Sequence, residues 1–385
     1  FEIPANMIIQ RMSARKWLAF IIIVWGIVSC SFCMIQNYTQ LLCLRLLLGL
    51  AESGFYPGVV YYLTRWFSPI DRAHRLAILY LAQPLALLCG GLIASPITKY
   101  MDGFSNWSGW RWVFLIEGFP TILLGIYTFF SLPSNPTTTK FLTTEEKEYM
   151  SSCRFVQCTN EPHDIDHLWH TTFIHPIVWL CIGINFCFLL PLFAMSFYLP
   201  IIVSEFGFGW FSGNMFSAIP YAGACIYMCY NAYDSDKNGG ERYYHILQPC
   251  LIAMIGTLGL GIALCLDNNA GSDEMNMLRL FLLSLATAGT WAAKPPFTAW
   301  ATEILPGDLA VSVAAVATFG NIAGILSPIM MAGLRSAFGS HGPGLIAMSI
   351  SFSSGMILLV ILKKVSRRYP RAGMPPISRR SSFIV

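Results

Sequence analysis

Ten apolar runs, each long enough to cross a bilayer as a helix, dominate this chain of 385 residues. They cover about 17–35, 41–63, 76–97, 112–132, 174–203, 211–231, 245–266, 278–300, 309–332 and 343–362, and residues 1–9 read as the tail of another. At a rise of about 1.5 Å per residue, roughly 20 residues cross the hydrocarbon layer. Only 11% of the residues are charged, less than half the roughly 25% usual in soluble domains. The mean hydropathy is +0.57. Together these features point to an all-α membrane protein.

The polar stretch Pro133–Phe173 is the one long interruption. It predicts an N-terminal helical half over 1–132, a linker over 133–173, a C-terminal six-helix half over 174–362 and a basic tail over 363–385. Transporters are often built from two equal halves. On that pattern about one and a half helices precede Phe1, and the chain reads as a fragment that begins in mid-helix. Lys and Arg settle the orientation: 18 fall in one set of loops and ends, and four (Lys99, Arg111, Arg279 and Arg335) in the other. The positive-inside rule then puts the linker and the C-terminus in the cytoplasm, with a bacterial inner membrane as the expected location.

Within the linker, Thr143-Thr-Glu-Glu146 matches a capping box. His163, His167, His170 and His175 have spacings that could bring metal ligands together, but a solvated linker is the simpler reading, and no metal or other cofactor is expected. Ten of the 12 cysteines lie in apolar spans, where thiols pack as small hydrophobes. Cys153 and Cys158, on the cytoplasmic side, are expected to be reduced. A net charge of +4 is too small to argue for a nucleic-acid partner.

The charges inside the spans carry the functional signal, because ionisable groups at that depth are costly and usually line an ion or substrate path. Arg45 and Glu52 lie seven residues apart, two helical turns, on one face at a separation of about 10.5 Å. Gly49 and Gly54 would let a neighbouring helix approach there. Glu52 is the candidate proton carrier, since a carboxyl alternating between burial and a nearby cation can load and release a proton. Arg45 offers a planar fork for a substrate carboxylate. Lys294 precedes Pro295-Pro296, which interrupts its helix, so it is either an anion-binding lysine or one that snorkels to the interface.

Several motifs match a known family. Gly109-Trp-Arg-Trp-Val-Phe-Leu-Ile-Glu117-Gly118-Phe-Pro120 and Asp234-Ser-Asp236-Lys237-Asn-Gly-Gly-Glu-Arg242-Tyr-Tyr-His245 resemble the sixth helix and the loop between helices eight and nine of the major facilitator superfamily. Phe1-Glu-Ile-Pro4-Ala-Asn6 with Arg11, Arg45-x6-Glu52 and Pro69-Ile-Asp-Arg72 is similar to that superfamily's anion:cation symporter branch. The Ser-Phe-Tyr-Leu-Pro200 stretch resembles its tartrate and aromatic-acid carriers. The resemblance implies alternating access between two six-helix halves and a proton role for Glu52. By family layout, Gln83, Asn185, Tyr198, Trp291 and Asn321 join Arg45 and Lys294 along the cavity. Asp236 and Arg242, with Arg11 and Arg15, would form gating charge pairs, whereas Glu117 reads as structural.

Three departures stand out. Ser13 replaces the usual glycine, the Asp-Arg pair of the branch's first helix has no counterpart, and the fifth span lacks the full glycine-proline pattern of drug antiporters. The expected function is symport of a small organic anion (a carboxylate) with a proton or Na+, by a monomer in the lipid bilayer. A non-transporting sensor or truncated product is the alternative. No His-x-x-x-Asp or His-Glu-x-x-His pattern in the spans suggests an enzyme.

Overall fold

The computed structural model describes residues 2–67, 69, 71–134, 139, 142–147, 172–206, 210–266, 273–306 and 309–367, without the side chains at 3, 6, 7, 10, 11, 95, 210–215 and 273. Every apolar run becomes helix. In chain order these are α1 (Glu2–Arg11), α2 (Ala14–Ser31), α3 (Tyr38–Glu52), α4 (Phe55–Trp66), α5 (Arg72–Tyr100), α6 (Gly109–Ser131), α7 (Pro176–Ser204), α8 (Trp210–Lys237), α9 (Tyr243–Leu266), α10 (Asp273–Ala292), α11 (Lys294–Ile304), α12 (Leu309–Gly320), α13 (Ala323–Phe338) and α14 (Gly342–Ser366). Among the described residues there is no strand, and eight stretches are long and apolar enough to cross a membrane. The runs that form α8 and α10–α11 are not among the eight.

Three of the runs are broken, the second of them where Pro295-Pro296 indicates. The first breaks at Ser53–Gly54, where the Ser53 hydroxyl donates to Leu50 O at 2.8 Å. The second breaks at Ala293, ahead of Pro295 and Pro296, which have no N–H to continue the ladder. The third breaks at Asn321–Ile322, where tight bonds from Gly324 N to Asn321 O (2.9 Å) and Ile325 N to Ile322 O (3.0 Å) replace the α pattern.

Packing divides the chain into two compact units. One holds Phe1–Ser68, Gly90–His163 and Asp308–Thr318; the other holds Pro69–Cys89, Asp164–Gly307 and Phe319–Val385.

In the first unit, α2 lies along α6 at near backbone contact. A Cβ placed on Gly118 would sit 2.7 Å from Cys30 Sγ and 2.9 Å from its backbone nitrogen. Cys30 and Cys33 are thus packing thiols, and all ten described cysteines are free. A small core of Ile9, Ala14, Leu18, Tyr61 and Ala310 joins α1, α2, α4 and α12. Tyr62 donates to Pro133 O at 2.8 Å, and Ser13 and Ser134 hydroxyls meet at 2.7 Å.

In the second unit, α7 is deeply enclosed, with Val178, Cys181, Ile184, Met195, Leu199 and Val203 fully buried. Its Pro191 cannot donate to Cys187 O, and Ser351 Oγ of α14 donates there instead at 2.9 Å. In the first unit, the capping box forms as the sequence indicates: Thr143 N donates to Glu146 Oε2 at 2.8 Å and Glu146 N to Thr143 Oγ1 at 3.2 Å. His163, His167, His170, Cys153 and Cys158 lie outside the described residues, and His175 is the N-cap of α7.

Candidate functional site

Arg45 and Glu52 both fall on α3, and both side chains are exposed. The Arg45 guanidinium lies over the Phe32 ring, 5.2 Å from its centroid, and its charge is felt at Glu52. The break at Ser53–Gly54 makes Glu52 the last residue of α3 rather than a mid-helix residue. The expectation of a close helix contact divides between the two glycines. Nothing described lies within 4 Å of a Cβ built at Gly49, whereas one built at Gly54 would meet Ala5 Cβ at 2.8 Å and Ile21 Cδ1 at 3.0 Å.

Lys294 is buried at 5% exposure, so it does not snorkel. It opens α11 immediately after the break, and its ammonium donates to Asn185 Oδ1 of α7. Asn185 is itself buried and packs against Gly320, where an added Cβ would collide with the Asn185 amide. Asn185 and Lys294, named separately from the sequence, are thus in contact: a cation and an amide inside an apolar unit.

Tyr198 lies well away from that contact. Tyr198 is 13 residues along α7 from Asn185, about 20 Å at helical rise. It donates to Pro328 O at 3.1 Å and packs edge-on against His341. Gln83 is half-buried on α5, and Asn321 is exposed at the α12–α13 break. Trp291 is 1% exposed and packs edge-on against Tyr221, as a core residue would. Glu117 is exposed on α6.

A polar knot joins the α8–α9 turn to the start of α5, all in the second unit. Arg242 Nη1 lies 2.5 Å from Asp236 Oδ1, its Nη2 donates to Pro69 O at 2.6 Å, and Glu303 is 3.5 Å away. Asp236 also accepts from the backbone N–H groups of His74 (2.7 Å) and Ala73 (3.3 Å), capping the N-terminus of α5. Burial pushes the Asp236 carboxyl up, while Arg242 and these donors draw it back. The other gating candidates lie elsewhere. Arg15 rests over the Phe129 ring, and the Arg11 side chain lies outside the described residues.

Sequence reasoning missed the polar stripe of α11. Lys294, Thr298 and Thr302 recur every four residues, which puts them on one helix face. Thr298 Oγ1 meets Tyr80 OH at 2.9 Å, and Arg72 Nη1 donates to Thr302 Oγ1 at 2.9 Å. The four-residue spacing was the available signal. Among the described residues, no group of three His, Cys, Asp or Glu side chains is placed to hold a metal.

A profile of the Major Facilitator Superfamily matches residues 1–328, and the chain belongs to that superfamily. It is therefore a multi-pass secondary transporter of small molecules rather than an enzyme. Among its relatives is a protein of Pseudomonas putida described as metabolite transport protein NicT, 33% identical over 86% of this chain and 74% of that one. A tartrate transporter, so named, of Agrobacterium vitis is 30% identical over 99% of this chain and 85% of its own length. The proton:xylose symporter XylE shares the fold, with a TM-score of 0.66 at 16% identity, covering 92% of this chain and 79% of that chain.

Proposed function

We propose that this transporter carries a small organic anion bearing a carboxylate, in symport with a proton. The observation that carries the reading is Lys294, a cation buried at a helix break and hydrogen-bonded to the neutral amide of Asn185. A cation buried inside a span usually marks an ion or substrate path, and broken helices are where transporters bind ligands. The name of the tartrate transporter of A. vitis supports the same substrate class.

Glu52 is the proposed proton carrier and Arg45 its partner on α3. A proton on Glu52 would free Arg45 for an anion, and loss of the proton would draw the guanidinium back. Gln83, Tyr198 and Asn321 are proposed to line the path by hydrogen bonding. Asp236 and Arg242, with Arg11, are proposed to latch the cytoplasmic side. Rocking of an N-terminal half (1–132) against a six-helix half (174–362) would give alternating access. The linker 133–173 and the tail 363–385 would lie in the cytoplasm, the location would be the bacterial inner membrane, and the monomer would be the working unit.

Uptake of radiolabelled tartrate, succinate and benzoate into proteoliposomes under an imposed pH gradient tests the reading. An acidic exterior should drive accumulation of one of them, and Glu52→Gln should abolish that drive while still allowing exchange. Accumulation indifferent to the gradient, or a Glu52→Gln protein that concentrates substrate as the parent does, would refute proton coupling.

A further inference from the structure

Two prolines in the second unit leave helix carbonyls without their usual donors. Pro249, inside α9, cannot bond His245 O four residues back, and Pro296, in α11, cannot bond Ala292 O. Both carbonyls receive a donor from the same side chain. Asn231 of α8 gives one N–H to His245 O at 2.8 Å and the other to Ala292 O at 3.0 Å. Asn231 is buried at 3% exposure. A side-chain amide has two N–H donors, and this one spends both on the two carbonyls.

We infer that Asn231 is a positioning residue: it holds the α10–α11 break in place by bonding the carbonyls that Pro249 and Pro296 strand, and so fixes where Lys294 points. Ala292 is two residues before Lys294, and the break lies between them. Without the Asn231 donors, the buried Ala292 carbonyl and the half-buried His245 carbonyl would have to turn in search of partners, and the turn of chain bearing Lys294 would move with the first. Neither Leu nor Ser can replace the amide, because the first donates nothing and the second donates once. The consequence for transport rests on Lys294 being the anion-binding cation; the bonding role does not.

The test is a mutant cycle on the purified full chain. Asn231→Leu is expected to lower the midpoint of thermal unfolding by about 3 °C. In a Pro249→Ala/Pro296→Ala background, where the backbone N–H groups are restored, the same substitution should cost less than half of that. Equal losses in both backgrounds would overturn the proposal. Should Asn231→Leu fail to fold, Asn231→Ser serves in the same cycle, with a smaller loss that the double alanine background again reduces.

Transport supplies the second readout. For radiolabelled tartrate, or the panel carboxylate that the parent accumulates, Asn231→Leu should raise KM by about five-fold with Vmax changed by less than about two-fold. An unchanged KM overturns the positioning role. Lys294→Gln separates the two ideas: if its KM is unchanged, the reading of Lys294 fails, and the thermal cycle alone decides the bonding role of Asn231.

Discussion

Arg242 Nη1 and Asp236 Oδ1 meet at 2.5 Å across the α8–α9 turn, and the same carboxylate caps the start of α5 through His74 N–H at 2.7 Å. The Arg242 and Asp236 side chains are only 2% and 10% exposed. Removing one partner of so enclosed a pair leaves an uncompensated charge, which typically costs about 3–5 kcal/mol. Arg242→Ala should therefore lower thermal stability sharply. Asp236→Asn should cost less, because the amide oxygen still accepts from the α5 backbone. If the knot is a latch, both variants should also change the rate at which cysteines introduced near residue 69 react with a water-soluble maleimide. Unchanged labelling in both would reduce the knot to a structural cap.

His341 should make stability depend on pH. It sits between α13 and α14, 1% exposed, with Nε2 3.4 Å from Glu205, Arg335 close by and the Tyr198 ring against it. Burial, then the Arg335 charge, lowers its pKa from 6.5 to about 4. The fold thus prefers the neutral imidazole. Its contribution is present in full above pH 6.5 and is lost as the pH falls toward 4. Glu205 works the other way: burial raises its carboxyl against the pull of Arg335, so its contribution is present at low pH and fades as the pH rises. Thermal unfolding between pH 7 and 4 should show parent stability falling relative to His341→Gln as acid is added. A constant gap between the two proteins would contradict this.

Much of the fold was legible because lipid imposes a length on every span. All ten runs are helices, and the capping box at Thr143 forms as written. The breaks were harder to read. Pro295-Pro296 announced one, but Ser53–Gly54 and Asn321–Ile322 contain no residue that forbids a helix. The site was legible only in part. Lys294 and Asn185 were named separately, and their contact required the fold to bring residues 109 positions apart together. Tyr198 looked equivalent to Asn185 in sequence, yet helical rise along α7 sets it far away. Asn231 was invisible because nothing in one chain says which carbonyls a distant proline has stranded.

Gly118 should tolerate almost nothing larger. A Cβ there would already lie 2.7 Å from Cys30 Sγ and 2.9 Å from the Cys30 backbone nitrogen, and a backbone cannot step aside as a flexible side chain can. Overpacking of this kind costs about 1–3 kcal/mol or more. Gly118→Val should therefore reduce the yield of monodisperse protein in detergent and lower its unfolding midpoint. Gly49→Ala, with nothing described within 4 Å of the added methyl, should leave both unchanged.

Lys294→Met should separate stability from transport. A buried ammonium is costly to hold, and methionine is a flexible apolar side chain of similar length with no charge to desolvate. Lys294 is 5% exposed and its amine bonds the amide of Asn185, so methionine gives up that contact and removes the desolvation penalty. The unfolding midpoint of Lys294→Met should equal or exceed the parent's, while accumulation of the labelled carboxylate falls at least about ten-fold. If Lys294 were a structural residue, the pattern would reverse, with stability lost and transport per folded molecule retained. Measuring both on one preparation decides between them, because a residue that costs stability and supports uptake is kept for its charge rather than for its packing.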